Sequence, residues 1–499
     1  MIEKLIIQHF RSIERIEVKL GEINSFIGPN NAGKSNIMKA LNLILGESYP
    51  SNRSFEENDF YNRDKSRPIK IEVKFKSPLK CDKRIVGFRL TFDGNTCEYV
   101  AIDQNGQNIK NGQNIKKVSN EMRDEVSLMY LGLNRQAEQQ IRPTSWTLYG
   151  KLLRHIDKKM DQDKKEKFIK EVRNSYESNI YLPALREMEN CLCAYIKEQT
   201  GLDLYLRLSI LDPVEILKNL RPYFKEKQNF QEFDAEDMGA GTQSALAVAI
   251  ARAYSKIVKE PLILAIEEPE LYLHPQGCRH FYKLLKELSE NGVQIIYTTH
   301  ERSFVNLADF ECIYLVRKES GETKIYYGRE QKISDKKKIR LISHFDEQLN
   351  EIFFANKVVL VEGFTDKIAC KLALEKLGVE LDKENISIVE CGSKNSIKPI
   401  SEVLRIFKIP TYVLLDEDPG NAETKKVISE LQKFLGNDRV FIQQPNLERM
   451  FGLSKKLSKS EAIEFFPEWF KNNNPPQVYE NIKNKIKKQE SIDDASLEE

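Results

Sequence analysis

INSFIGPNNAGKSNIMKALNLIL, Ile23 to Leu45, decides how the first half of this chain is read. A short strand-like run, Ile23 to Ile27, enters GPNNAGKS, Gly28 to Ser35, which fits the pattern G-x-x-x-x-G-K-S. Ile37, Ala40, Leu41, Ile44 and Leu45 then recur at helical spacing. Strand, glycine loop and helix in that order are the context that makes this motif specific for phosphate. The glycines let backbone N–H groups turn inward around an anion, and the helix N-terminus adds positive potential. Gly28, Asn30, Asn31 and Gly33 are read as the cradle. Lys34 is read as the cation that reaches the β- and γ-phosphates of ATP, and Ser35 as a hydroxyl ligand of Mg²⁺. A chance match on a glycine-rich turn would leave the flanking strand and helix unexplained.

Three later segments strengthen the nucleotide reading. LILAIEEPELYLHP, Leu262 to Pro275, is an apolar strand that ends in two acids. Glu267 stands where an acid would hold Mg²⁺, and Glu268 where one would polarise the attacking water. A buried strand with one exposed Glu at its tip is common, but it does not account for the pair. MGAGTQSALAVAIA, Met238 to Ala251, sets small residues at a helix start. IIYTTH, Ile295 to His300, is another apolar strand, ending in a histidine. A lone His is more often structural; its place after the next strand is what singles it out.

A second set of acids lies far along the chain. KVVLVEGFTDKIACKLAL, Lys357 to Leu374, is a strand ending in Glu362, with Asp366 at the start of a helix. PTYVLLDEDPGN, Pro410 to Asn421, is a strand ending in Asp416-x-Asp418. Extended alternation predicts Asp416 and Asp418 on the same side. In open α/β sheets ligands bind beyond the carboxyl ends of the strands, so both acid sets are expected to face each other there. Converging carboxylates repel unless cations bind, and oxygen-only ligands suit Mg²⁺ or Mn²⁺. Such a site can polarise a phosphodiester and activate water. Each acid alone reads as a loop residue or helix cap; two sets ending two apolar strands do not.

The 499 residues exceed one ordinary core, so two or three domains are expected. Net charge is +2, from 77 basic and 75 acidic residues, and neither favours nor excludes nucleic acid. No run of about 18 apolar residues occurs, so no membrane span is read. The charged, alternating N-terminus is not a signal peptide, which makes the cytoplasm the expected location. The eight cysteines form no C-x-x-C pair, so a zinc site is not expected. Residues 69–103 alternate and predict an antiparallel sheet, and the repeated NGQNIK, Asn105 to Lys116, predicts a polar hairpin. Residues 147–235 read as helical, with the run Asp157 to Lys170 as a solvated helix, and the acidic tail from Ser491 as frayed. The sequence shows no Cys/His module of a primase, no recognisable nucleophilic Tyr of a topoisomerase and no helicase motif.

The first four segments, in this order, resemble the ABC ATPases of the RecF/SMC type over roughly residues 1–340. The resemblance implies that Gly239, Gly241, Thr242 and Gln243 of one copy contact the ATP of another, that His300 senses the γ-phosphate, and that the protein is at least a dimer. Two departures, Glu267 where most such proteins have Asp and a signature GAGTQS without its leading Ser, imply slow turnover or ATP used as a switch. The E-G-x-x-D and D-x-D pair resembles a Toprim domain. An ABC ATPase followed by a C-terminal Toprim is the arrangement of the OLD (overcoming lysogenization defect) family, which includes the Gabija-type antiphage nuclease subunit. YLGLNRQAEQQIRP (Tyr130 to Pro143), CGSKNSIKPI (Cys391 to Ile400) and PNLERMFGL (Pro445 to Leu453) resemble further elements of that family.

The resemblance implies that Glu362 and Asp366 serve one metal site, Asp416 and Asp418 the core site, and Glu448 a second metal. It also implies a transition-state lysine near the C-terminus, before Pro. Here KNNNPPQ puts Asn474 before Pro475, and Lys471 is the nearest candidate; Lys394 is a further basic residue that would face phosphate. The expected fold class is α/β: an ABC-type P-loop ATPase with a helical insertion, followed by a Toprim α/β domain. The expected boundaries are 1–145 and 236–340 for the ATPase, 146–235 for a dimerising insertion and 350–499 for the Toprim domain. The expected activity is Mg²⁺- or Mn²⁺-dependent cleavage of DNA, gated by ATP and serving antiphage defence. The alternatives are a DNA-binding ATPase whose Toprim domain is a docking module, and an effector active only with a helicase-like or RNA-containing partner.

Overall fold

Apolar alternation along the first hundred residues builds an antiparallel sheet. In the computed structural model its order is Ile13–Lys19, Ile2–Phe10, Ile69–Phe75, Gly87–Phe92, Cys97–Ile102. The structure describes residues 1–132, 147–159, 220–225, 232–258, 260–271, 275–305, 307–329 and 347–488, with isolated positions at 142, 144, 161, 163, 164, 166, 167, 170, 171 and 273. Most of the expected insertion, most of the stretch Tyr130 to Pro143 and the acidic tail lie outside the described residues. The repeated hexapeptide carries a small antiparallel ladder, Lys110–Asn111 against Asn114–Ile115.

A second sheet has six strands in the order Glu322–Tyr327, Ile313–Glu319, Ile23–Ile27, Val293–Thr299, Leu262–Glu267, Ser127–Leu131. All neighbours are parallel except the edge hairpin. Leu262–Glu267 and Val293–Thr299 are buried along their whole length, as parallel strands covered on both faces must be. The helix Lys34–Leu45 buries Ile37, Met38, Ala40, Leu41, Ile44 and Leu45 in the core shared by the two sheets.

Gln294 stitches the sheets together. It is fully buried, its Oε1 accepts from Ile2 N at 2.7 Å, and its Nε2 donates to Ile2 O at 2.7 Å and Gly21 O at 2.6 Å. A polar residue inside an apolar strand is thus explained by the backbone of the neighbouring sheet.

The last third is a four-stranded parallel sheet, order Ile386–Glu390, Lys357–Val361, Thr411–Asp416, Val440–Gln443. Helices Phe364–Lys376, Lys394–Ile406, Ala422–Leu435, Lys459–Asn472 and Gln477–Lys487 accompany it. This unit meets the six-stranded sheet through one apolar cluster that holds Ile27, Ile313 and Leu315 together with Phe353, Val358 and Leu360. Arg317 Nη2 donates to Ala355 O at 2.7 Å across the same junction. Among the described residues no helix is long and apolar enough to cross a membrane.

Replacing Gln294 by Leu strands buried backbone groups of Ile2 and Gly21. Urea denaturation is expected to show a loss of ~2–4 kcal/mol; a change within experimental error would remove Gln294 as the stitch.

Candidate active sites: a phosphate loop and a carboxylate edge

The phosphate loop is shaped by close backbone approach. Gly28 has φ +148°, and a Cβ there would meet Val316 O at 2.1 Å. Gly33 has φ +108°, and a Cβ would meet Thr323 Oγ1 at 2.2 Å. Thr323 Oγ1 in turn donates to Ala32 O at 2.9 Å and lies 2.7 Å from Ser12 Oγ, which also accepts from Asn36 Nδ2 at 2.8 Å. Ser12, in the turn between the first two strands, and Thr323, on an edge strand, therefore brace the loop, a role nothing in the motif announces. Asn30 and Asn31 are exposed on the loop, and Ser35 is half-buried in the first helical turn.

Lys34 is buried and folds back on its own loop, with Nζ 2.8 Å from Gly28 O and 3.0 Å from Pro29 O. Burial pushes its pKa down, and the charges of Glu268 and Glu270 partly oppose that. The loop, Glu268 and Glu270 thus share one electrostatic neighbourhood. Glu268 takes a left-handed conformation, φ +45°, and its N–H donates to Thr298 O at 2.8 Å. Such a backbone is strained for Glu and is a feature of functional positions. His300 Nδ1 lies 3.6 Å from Glu268 Oε1 and 3.5 Å from Glu270 Oε1.

Glu270 is the residue that sequence reading passed over. It accepts from Thr299 Oγ1 at 2.8 Å and from His300 N at 3.0 Å, so it seats the His300 loop. Glu267 ends its strand almost wholly buried and accepts from the Tyr130 hydroxyl of the adjacent strand. Its other oxygen is buried without a partner among the described residues.

The signature helix differs from expectation at one residue. Gly239 precedes the helix Ala240–Val258, and Gly241 and Thr242 lie half-buried in its first turn. Gln243, expected to face a partner's nucleotide, is buried, and its Nε2 donates to Glu236 O at 2.8 Å. The amide closes the short turn Ala235–Asp237 within its own chain.

The second set of acids lies at the carboxyl ends of two parallel strands, Lys357–Val361 and Thr411–Asp416. Asp366 is 7% exposed; its Oδ2 accepts from Gly363 N at 3.1 Å and its Oδ1 from Gln443 Nε2 at 3.3 Å. Burial pushes its pKa up to about 6, the Glu362 charge adds to the rise, and Gly363 N–H and Lys456 oppose it. Burial pushes Asp416 up to about 8, helped by Asp366, Asp418 and Glu448 and opposed by the Leu447 N–H. That N–H, 2.8 Å from Asp416 Oδ1, belongs to the short helix Leu447–Met450 that carries Glu448. Asp366 thus feels Glu362, and Asp416 feels Asp366, Asp418 and Glu448.

Two expectations are corrected in detail. Asp418 does not continue an extended strand: it has φ +46°, and its N–H donates to Pro445 O at 3.1 Å. Strand alternation is therefore not what aligns it with Asp416; the turn against Pro445 is. Lys471 is exposed on its helix and pairs with Glu468 at 2.8 Å. The lysine felt by Asp366 is Lys456, which no motif marked. Lys394 reaches Asp418 Oδ2 at 3.4 Å and donates to Thr424 Oγ1 at 2.6 Å.

Comparison with known proteins agrees with this two-part architecture. Residues 353–418 match the family described as overcoming lysogenization defect protein-like, TOPRIM domain. An AAA ATPase domain matches in two overlapping stretches, residues 1–180 and 111–305. The chain is 25% identical to the Old nuclease of Escherichia phage P2, over 83% of this chain and 76% of that one. It is 21% identical to the endonuclease GajA of Bacillus cereus, over 86% and 76% respectively. It is 30% identical to the OLD nuclease of Thermus scotoductus over 92% of this chain and 93% of that protein. With the similarity running nearly end to end through an ATPase and a Toprim nuclease domain, the chain belongs to the OLD nuclease family.

Proposed function

We propose that this protein is a divalent-metal-dependent DNA endonuclease whose cutting is gated by ATP at the phosphate loop. The observation that carries the reading is the pair Asp366 and Asp416 at the ends of parallel strands, each raised above the usual carboxylate range by burial and by the acids beside it. Carboxylates kept this close gain most from a shared cation, and an oxygen-only donor set suits a hard ion. Among the described residues no three such groups are placed to chelate an ion as they stand. Glu362, Asp366, Asp416, Asp418 and Glu448 would therefore turn inward to hold Mg²⁺ or Mn²⁺. A metal bound there supplies Lewis acidity to the phosphodiester and a more acidic water. Lys394 and Lys456 offset the charge of the phosphate.

At the other site Lys34 leaves the Gly28 and Pro29 carbonyls for the β- and γ-phosphates. Glu267, steadied by Tyr130, holds Mg²⁺ together with Ser35; Glu268 orients the water, and His300 reads the γ-phosphate. The signature residues Gly239, Gly241, Thr242 and Gln243 serve the ATP of a second copy, so the working unit is at least a dimer; Gln243 must first release Glu236. Gating has a physical route. Two residues after His300, Arg302 pairs with Glu351 at 2.9 Å. Asn350 Nδ2 donates to Arg302 O at 3.3 Å and Val305 O at 2.6 Å. A shift of the His300 loop thus pulls on the segment that leads into the strand ending at Glu362. We assign the activity to defence against phage on the family resemblance.

Glu362→Ala is expected to lower Mg²⁺-dependent cleavage of plasmid DNA by at least about 100-fold; cleavage equal to the parent would sink the assignment. Lys34→Ala should keep metal-dependent cutting and lose its response to ATP.

Arg302→Ala should retain ATP hydrolysis and cutting while the two become independent. Persistence of the full ATP effect in this variant would remove the route through Glu351.

Asp416 also sets a pH dependence in the metal-free protein. Its folded pKa lies above the unfolded value of about 3.9, so the folded state holds the proton more tightly. Stability from this group is full below that value and is lost as pH rises toward about 8. Asp416→Asn is therefore expected to raise stability in EDTA at pH 8 by ~1–2 kcal/mol while abolishing cleavage. An unchanged or lower melting temperature would contradict the buried-charge account.

A further inference from the structure

Two buried polar atoms beside the carboxylate edge lack partners. Gln443 ends the strand Val440–Gln443 with no exposed surface, and its Oε1 has no hydrogen-bond partner among the described residues. Tyr479 lies in the first turn of the helix Gln477–Lys487, also with no exposed surface, and its hydroxyl has no partner among the described residues. That helix packs on both the strand ending in Gln443 and the helix that carries Asp366.

Other buried tyrosines in this protein satisfy their hydroxyls. Tyr99 donates to Ile44 O at 2.6 Å, and Tyr297 to Phe304 O at 2.7 Å. Leaving such a group unpaired is costly. Packing does not require the hydroxyl, because the ring contacts of Tyr479 with Phe451 are those a Phe would make. A phenol O–H is a hydrogen-bond donor, and this one meets no acceptor among the described residues. It is therefore an unused donor, while Gln443 Oε1 is an unused acceptor. Between them and the acid edge stands one existing bond, Gln443 Nε2 to Asp366 Oδ1 at 3.3 Å.

We propose that Gln443 and Tyr479 are positioning residues for the metal site, acting as a relay in which the Tyr479 hydroxyl donates to Gln443 Oε1 and the Gln443 amide donates to Asp366. The proposal rests on the reading of the carboxylate edge as a metal site. With Oδ1 held by Gln443 and Oδ2 by Gly363 N–H, each oxygen of Asp366 keeps a second lone pair for a cation. The relay closes as Asp366 turns toward the ion, and the amide fixes which way the carboxylate faces. Partners that orient a ligand in this way are worth about 10- to 100-fold in metal affinity.

The test is calorimetric titration of Mn²⁺ into the full-length parent, Tyr479→Phe, Gln443→Leu, the double variant and Asp416→Asn, with melting temperatures and the metal dependence of plasmid cleavage measured alongside. Tyr479→Phe should bind Mn²⁺ roughly 10-fold more weakly while melting no lower than the parent. Its half-saturating metal should rise more than its maximal rate falls. The double variant should be no weaker than Gln443→Leu alone, because the two act in series. If the parent binds Mn²⁺ through Asp416 but Tyr479→Phe binds equally well, the relay is wrong and the metal site stands. If the parent binds no Mn²⁺, or Asp416→Asn binds it as tightly, the metal site falls and the relay with it.

Discussion

One apolar seam governs how the two chemical centres relate. Ile27 is the last residue before the phosphate loop, and Leu360 lies two residues before Glu362; both belong to the same buried cluster, with Leu315 and Val358. Core packing tolerates little change in volume, so neither strand can slide without disturbing the other. Polar contacts at the same junction, Arg302 with Glu351 and Asn350 with two backbone carbonyls, add to the apolar seam. The phosphate loop and the carboxylate edge are thus joined through packed material.

Both centres use the same device. A parallel strand ends, and the residue after it or two beyond leaves the extended conformation to aim an acid. Glu268 and Asp418 each sit at positive φ, and each is pinned by a backbone bond to a neighbouring segment, Thr298 O and Pro445 O respectively. Strain at such positions persists only where the surroundings hold it. The surroundings here are the adjacent strand in the first case and the segment leading to Glu448 in the second.

Much of this was legible in the residues. The phosphate loop and its helix follow from spacing, and the acids Glu362, Asp366, Asp416 and Asp418 follow from ending apolar strands. What escaped was whatever depends on partners distant in sequence. Glu270 carries no motif, yet it seats His300; Ser12 and Thr323 brace Gly33 from either end of the ATPase unit. Lys456 influences Asp366 although the expected lysine, Lys471, pairs with its own helical neighbour Glu468. Local alternation also misjudged Asp418, because a turn against Pro445 replaces the strand there. Long-range contacts of this kind appear once strands are ordered, and strand order is not written in periodicity.

The folded-back Lys34 gives the loop a chemical character of its own. Its ammonium already has two carbonyl acceptors, Gly28 O and Pro29 O, inside the cradle. A buried ammonium without acceptors would be costly, and the cradle's own carbonyls meet that need. For any anion, binding this lysine is therefore a competition with two backbone carbonyls.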